Sequence, residues 1–221
     1  MQNDQPDIHI VGHWNYPTNT VKTVYVAANH CDSVELFVNG KSVGTTNQPC
    51  DFVDSFDNKY YGNTGYIYAF PGIKFEPGTI KAAGKAGGKT VAQDEIETAG
   101  APSGIKLTAH TGPGGLQADG SDVAFFDVEV VDAQGRRCPT DETRVDFKLE
   151  GPAVWRGGYN SGITNSVNNL WLDTECGVNR VSIHSTLQPG TITLTATRAE
   201  LEPATVKIES HAVEIKDGLL P

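Results

Sequence analysis

No segment of this sequence longer than ten residues carries the apolar spacing and end caps of a helix. Apolar and polar residues alternate instead, most regularly at Val145, Phe147 and Leu149, as they do in a strand with one buried face. Valine outnumbers leucine by 20 to 11, and β-branched side chains favour strands. The sequence therefore predicts an all-β fold.

A β-hairpin at residues 34–44 is the clearest single element. Its first strand ends at Val38, and a second short strand begins at Lys41. Asn39 and Gly40 lie between them, and Asn-Gly is the dipeptide that best tolerates the positive φ angles of a type I′ turn. We therefore predict a two-residue type I′ hairpin here.

Length and a break in the pattern divide the chain into two domains. Two sandwich modules of about 100 residues each account for most of the 221 residues. Residues 99–104 are mostly small and include a proline, which indicates a linker. We expect two tandem immunoglobulin-like β-sandwich domains, at residues 1–98 and 99–221.

Charge and hydropathy disfavour two classes of partner. The chain has 17 Lys and Arg against 27 Asp and Glu, a formal net charge of −10, which argues against nucleic acid and anionic membrane surfaces. No apolar run approaches the ~18 residues of a membrane span. The first seven residues lack the basic and apolar segments of a signal peptide, so we expect none there.

Metal and cofactor sites are not predicted. No two cysteines have Cys-x-x-Cys spacing, and His9 and His13 would lie about 13 Å apart along a strand, too far to share one ion. Four unpaired thiols are favoured, and two disulfides, one in each half, stay open as the alternative. The cysteines are Cys31, Cys50, Cys138 and Cys176.

No catalytic residue is predicted either. Residues 158–162 resemble a nucleophile elbow, but Asn160 stands where the nucleophilic serine would be, and no helix follows. The sequence Asp-Gly-Ser-Asp from Asp119 could bind calcium weakly. We favour an Asx turn there that opens a strand.

Aromatic and amide side chains near strand ends are the remaining candidates for binding. Aromatic rings beside Asn and Gly can stack on sugars, but Trp and Tyr are also enriched at contacts between domains, which is the use we favour. Segment 155–171 is too polar for a core strand and is interpreted as a functional loop. The alternative, that its two tryptophans anchor the core, stays open. The candidates are Trp14, Tyr16, Trp155, Tyr159 and Asn160.

Two parts of the sequence resemble a known family. Residues 8–15, Ile-His-Ile-Val-Gly-His-Trp-Asn, and the hairpin at 34–44 are similar to a β-sandwich that follows the catalytic barrel in glycoside hydrolase family 2, especially in β-galactosidases of Bacteroides-type bacteria. Residues 116–122, 128–135, 158–165 and 189–196 resemble the Ig-like domain that comes next, a pattern shared with invasin-like bacterial adhesins.

The resemblance implies a non-catalytic chain. The family's catalytic glutamates stand on a TIM barrel of about 250 residues, which this sequence is too short and too poor in helices to contain. The chain is thus expected to hydrolyse no glycoside and to support the barrel or the oligomer of a retaining, β-galactosidase-like enzyme, in the periplasm or outside the cell. A carbohydrate-binding module and an adhesin-type Ig repeat are the alternatives.

Overall fold

The protein is built from β-strands. A computed structural model describes residues 4–53, 60–63, 65–158 and 165–214, and every regular element in this part of the chain is a strand. The prediction of an all-β fold is confirmed. The chain divides into two compact units, unit 1 (Met1–Thr98) and unit 2 (Ala99–Pro221), and each has its own apolar core.

Unit 1 is a β-sandwich. Its strands are β1 (Asp7–Ile10), β2 (Val21–Asn29), β3 (Ser33–Val38), β4 (Lys41–Thr46), β5 (Asp51–Val53), β6 (Tyr60–Asn63), β7 (Ile67–Lys74), β8 (Thr79–Ala86) and β9 (Lys89–Glu97). One sheet has the order β1-β2-β7 and the other β4-β3-β8-β9, while β5 and β6 pair with each other. Every second residue of β3 is buried, and Leu36 and Ile80 are fully buried in the core that the two larger sheets share.

The hairpin at residues 34–44 forms as predicted. The φ angles of Asn39 and Gly40 are 50° and 77°, and Val38 pairs with Lys41 across the turn. The Asn39 side chain also accepts the backbone N–H of Thr79 at 2.8 Å. The turn residue therefore supplies both the positive φ and a bond to the start of β8.

Unit 2 is an immunoglobulin-like sandwich. Its strands are β10 (Pro102–His110), β11 (Leu116–Gln117), β12 (Val123–Asp132), β13 (Arg144–Glu150), β14 (Ala153–Gly158), β15 (Trp171–Asp173), β16 (Val178–Ser185), β17 (Gly190–Thr197) and β18 (Ala204–His211). The sheets have the orders β10-β12-β16-β14 and β11-β18-β17-β13-β15. Without the short β11 and β15, these are the A-B-E-D and C-F-G orders of the immunoglobulin fold.

Two expectations about unit 2 are wrong. The segment 99–104 is not a linker throughout, because β10 begins at Pro102 and pairs with β12. Segment 155–171 does not begin as a loop, because Trp155 lies in β14. The Trp155 ring lies 5.3 Å from that of Phe147, and its indole N–H donates to the Asn169 carbonyl at 2.7 Å. The neighbours Val154 and Arg156 are exposed, and the asparagines that made the segment look too polar for a strand come after β14 ends at Gly158.

Two buried aspartates hold the loops of unit 2. Asp132, 3% exposed, accepts the Gly100 N–H at 2.8 Å and the Arg136 Nε–H at 2.7 Å. Burial alone would raise the pKa of the Asp132 carboxyl, but the hydrogen bonds from Gly100 and Arg136 hold it well below its usual value. Asp141 is likewise buried and paired with Arg198 at 2.7 Å.

The Asx turn at Asp119 is confirmed. Its Oδ1 accepts the backbone N–H groups of Ser121 at 2.8 Å and Asp122 at 2.7 Å. These bonds lower the pKa of the Asp119 carboxyl. The carboxylate thus fixes the turn that leads into β12.

Replacing Gly177 by alanine is expected to destabilise unit 2 by about 3 kcal/mol. Its φ is 73°, and a Cβ there would overlap the Cys138 carbonyl oxygen. Gly135 is the matched control, because its φ is 78° but a Cβ would meet nothing within 4 Å. Gly135→Ala should cost only about 1 kcal/mol, from backbone strain. Urea denaturation of both variants tests this, and equal losses would contradict the overlap.

Candidate functional site

Trp14 lies in the core of unit 1. It is 1% exposed, its ring meets Phe75 edge-on at 5.2 Å, and its indole N–H donates to the Glu76 carbonyl at 3.0 Å. The expectation that Trp14 is exposed for contact with a sugar or another domain is therefore wrong. Its polar neighbours His13 and Asn15 suggested a surface, but the hydrogen-bonded indole is satisfied inside.

Tyr16 is half-buried beside Trp14, with the two ring centroids 6.2 Å apart. Its ring stacks on His13 at 4.4 Å, and the Lys22 ammonium lies 4.2 Å from the ring centroid. These contacts cover much of the ring. Only part of the Tyr16 side chain is therefore accessible to a binding partner.

The other candidates, Trp155, Tyr159 and Asn160, belong to unit 2. Trp155 is half-buried against the core, as described above. Tyr159 and Asn160 lie outside the described residues, so their proposed role in binding stays a prediction. They follow Gly158, which lines the groove described next.

A groove of about 750 Å³ lies on the outer face of the β10-β12-β16-β14 sheet. Its lining includes Phe125, Asp127, Asn179, Arg180 and Ser182. Phe125 is 45% exposed, a large fraction for an aromatic side chain within a sheet. Sequence reasoning missed this site because Phe125 and Phe126 are adjacent aromatic residues, and only the structure shows that Phe126 is buried and Phe125 exposed.

A hydrogen-bonded group of charged and polar side chains lies beside Phe125. The Asp127 carboxylate accepts Arg180 Nε–H at 2.6 Å and His110 Nε2–H at 2.8 Å. These bonds, first from Arg180 and then from His110, lower the pKa of the Asp127 carboxyl against the opposing effect of burial. The Arg180 guanidinium lies 6.0 Å from the centroid of the Phe125 ring.

A second arginine borders the same sheet face. Arg156 Nη2 lies 2.8 Å from His184 Nε2, and His184 Nδ1 lies 2.8 Å from the Ser185 carbonyl. Because a guanidinium only donates, His184 Nε2 must accept, which assigns the proton to Nδ1. The Arg156 guanidinium therefore donates to a neutral imidazole and not to a carboxylate.

The described residues present no metal site. Among them, no three His, Cys, Asp or Glu side chains are grouped to hold an ion. The four cysteines carry free thiols, and burial raises the pKa of Cys31 and Cys138. Within the same residues, no helix has the length and hydropathy needed to cross a membrane.

Family profiles match both units. Residues 105–207 match "Glycoside hydrolase family 2 C-terminal domain 5", and residues 19–92 match "Domain of unknown function (DUF4982)". The first match runs from within β10 to the middle of β18 and includes the residues that line the groove.

Similar proteins are much longer than this chain. A β-glucuronidase of Formosa agariphila is 48% identical over 219 residues, which are 99% of this chain and 21% of that protein. The β-galactosidase BoGH2A of Bacteroides ovatus is 33% identical over 216 residues, 94% of this chain and 23% of that protein. A solved β-glucuronidase of glycoside hydrolase family 2 superposes with a TM-score of 0.85 at 47% identity, covering 97% of this chain and 21% of that one. The chain thus contains, at residues 105–207, a C-terminal domain of glycoside hydrolase family 2.

Proposed function

We propose that the chain is a non-catalytic part of a longer hydrolase that cleaves β-glucuronides. The 48% identity to a β-glucuronidase along 99% of the chain carries this proposal. β-Galactosides, the sugars expected from the sequence resemblance, are the second candidate, favoured by the 33% identical β-galactosidase.

The role we propose for both units is support of a catalytic barrel or of an oligomer. The chain spans 21% and 23% of the two relatives, whose remaining length accommodates a TIM barrel of about 250 residues. Each unit has its own apolar core, and unit 2 also has the ion pairs of Asp132 and Asp141. Both units can therefore keep their folds when they contact a neighbouring domain. We retain the periplasm or the cell exterior as the proposed location.

The test compares the 221-residue chain with a polypeptide that joins it to a family 2 barrel. We expect the chain alone to turn over neither p-nitrophenyl β-glucuronide nor p-nitrophenyl β-galactoside, and the joined polypeptide to prefer the glucuronide. Turnover by the chain alone that survives repurification, and is lost on changing one of its carboxylates, would contradict the non-catalytic role. Preference for the galactoside would favour the second candidate.

A further inference from the structure

Phe125 offers an apolar platform in the groove of unit 2. It lies opposite His110 on β10 and Ser182 on β16, so strands flank it on both sides. Its ring is 45% exposed, and covering it would remove apolar surface from water. The C–H face of a pyranose ring is apolar enough to cover an aromatic ring, while its hydroxyls reach polar neighbours such as Ser182.

Arg180 offers hydrogen-bond donors beside that platform. Its Nε–H donates to Asp127, and its Nη groups meet no acceptor within the described part of the chain. The edge formed by the two Nη groups can bind a carboxylate through two parallel hydrogen bonds. Asp127 holds the guanidinium in place, which reduces the entropy that Arg180 would lose on binding.

A second cation lies farther along the same face. Arg180 and His184 are separated by four residues of β16, about 13 Å, and Arg156 is bonded to His184. In this face Lys106 pairs with Glu129 and Arg180 with Asp127, while Arg156 contacts a neutral histidine. Glu175 also lines the groove, so the charges named on this face balance, and Arg180 and Arg156 would bind a ligand through their hydrogen-bond donors and not through a net positive charge.

We propose that this groove binds acidic oligosaccharides that contain uronate residues. A uronate carboxylate binds the Nη edge of Arg180, a sugar ring stacks on Phe125, and a second acidic residue reaches Arg156. Nucleic acid shares the anionic and stacking features, so a single-stranded DNA oligonucleotide is titrated as well, and binding of the DNA without binding of any acidic sugar would overturn the proposal. The proposal does not depend on which glycoside the longer enzyme cleaves.

Isothermal titration calorimetry on the 221-residue chain tests the ligand class. The probes are hexasaccharides of hyaluronan, polygalacturonate and alginate, each paired with its carboxyl-reduced form. We expect a dissociation constant below about 1 mM for at least one acidic hexasaccharide, and affinity about tenfold or more weaker for its reduced form. Failure of all three acidic probes, or equal binding of the reduced form, would overturn the proposal.

Variants test the site. Arg180→Ala and Phe125→Ala should each weaken binding about tenfold or more and leave the melting temperature within a few degrees, because both side chains are largely exposed. If Arg180→Ala unfolds, Arg180→Lys replaces it, since it keeps the charge but removes the paired donors. If Phe125→Ala unfolds, Phe125→Leu replaces it, since it keeps an apolar side chain but removes the aromatic ring.

Arg144 is the matched control. It pairs with Asp146 and lies 4.7 Å from the Trp171 ring centroid. Arg144, Asp146 and Trp171 thus repeat the arginine, aspartate and aromatic ring of the groove, but on the other sheet. Arg144→Ala should leave binding unchanged. If it weakens binding as much as Arg180→Ala, the attraction is general and the assigned site is wrong.

Discussion

Replacing Trp14 by alanine is expected to destabilise unit 1 by about 3–5 kcal/mol. The side chain is 1% exposed and packs on Phe75, so its removal leaves a cavity where the sheets meet. The variant also leaves the Glu76 carbonyl without the indole N–H that it accepts at 3.0 Å. Differential scanning calorimetry should show the melting of unit 1 lowered by roughly 15 °C or more.

Tyr25 is the control for this loss. It lies in β2 of the same unit but is 43% exposed, so Tyr25→Ala should cost about 1 kcal/mol or less. If Trp14→Ala shifted melting by no more than Tyr25→Ala does, Trp14 would be a surface residue after all, and its placement in the core would be refuted.

Asp132→Ala is expected to destabilise unit 2 by about 3 kcal/mol at pH 7. The carboxylate accepts four hydrogen bonds, from the backbone N–H groups of Gly100, Gln134 and Arg136 and from the Arg136 side chain. Alanine would leave these four donors without their acceptor at a position that is only 3% exposed, where water cannot easily replace it. Guanidinium denaturation at pH 7 measures the difference in the free energy of unfolding.

The contribution of the Asp132 carboxylate to the free energy of unfolding should decrease as the pH is lowered. The pKa of this carboxyl is lowered in the folded state, so its contribution to stability is complete above the unfolded pKa, near 4. The contribution is lost as the pH falls below that value toward the folded pKa. The difference in the free energy of unfolding between wild type and Asp132→Ala should therefore become smaller between about pH 4 and pH 2.

Asp146→Ala controls for the general loss of a paired aspartate. Asp146 and its partner Arg144 have half-exposed side chains, so this pair should contribute no more than about 0.5 kcal/mol. If the loss of unfolding free energy in Asp132→Ala stayed constant from pH 7 to pH 2, the charge of the carboxylate would not be what stabilises the segments at Gly100 and Arg136.

Little of the candidate site could be predicted from the sequence. Trp14 stands between His13 and Asn15, and polar neighbours favour a surface position, yet the chain turns its indole inward, where Glu76 satisfies it. Arg180 and His110 are far apart in sequence, and only the pairing of β10 and β16 with β12 brings both to Asp127.

The sequence by itself determined the all-β class, the hairpin at Asn39 and Gly40 and the Asx turn at Asp119. These features depend on local chemistry: a period of two along strands, tolerance of positive φ, and a carboxylate two or three residues from the N–H groups that it accepts. The tertiary structure decided which of the adjacent Phe125 and Phe126 is buried, because a strand with aromatic residues on both faces fits a core in either phase. Only the packing of one sheet on the other selects the phase, and that selection exposes Phe125 in the groove.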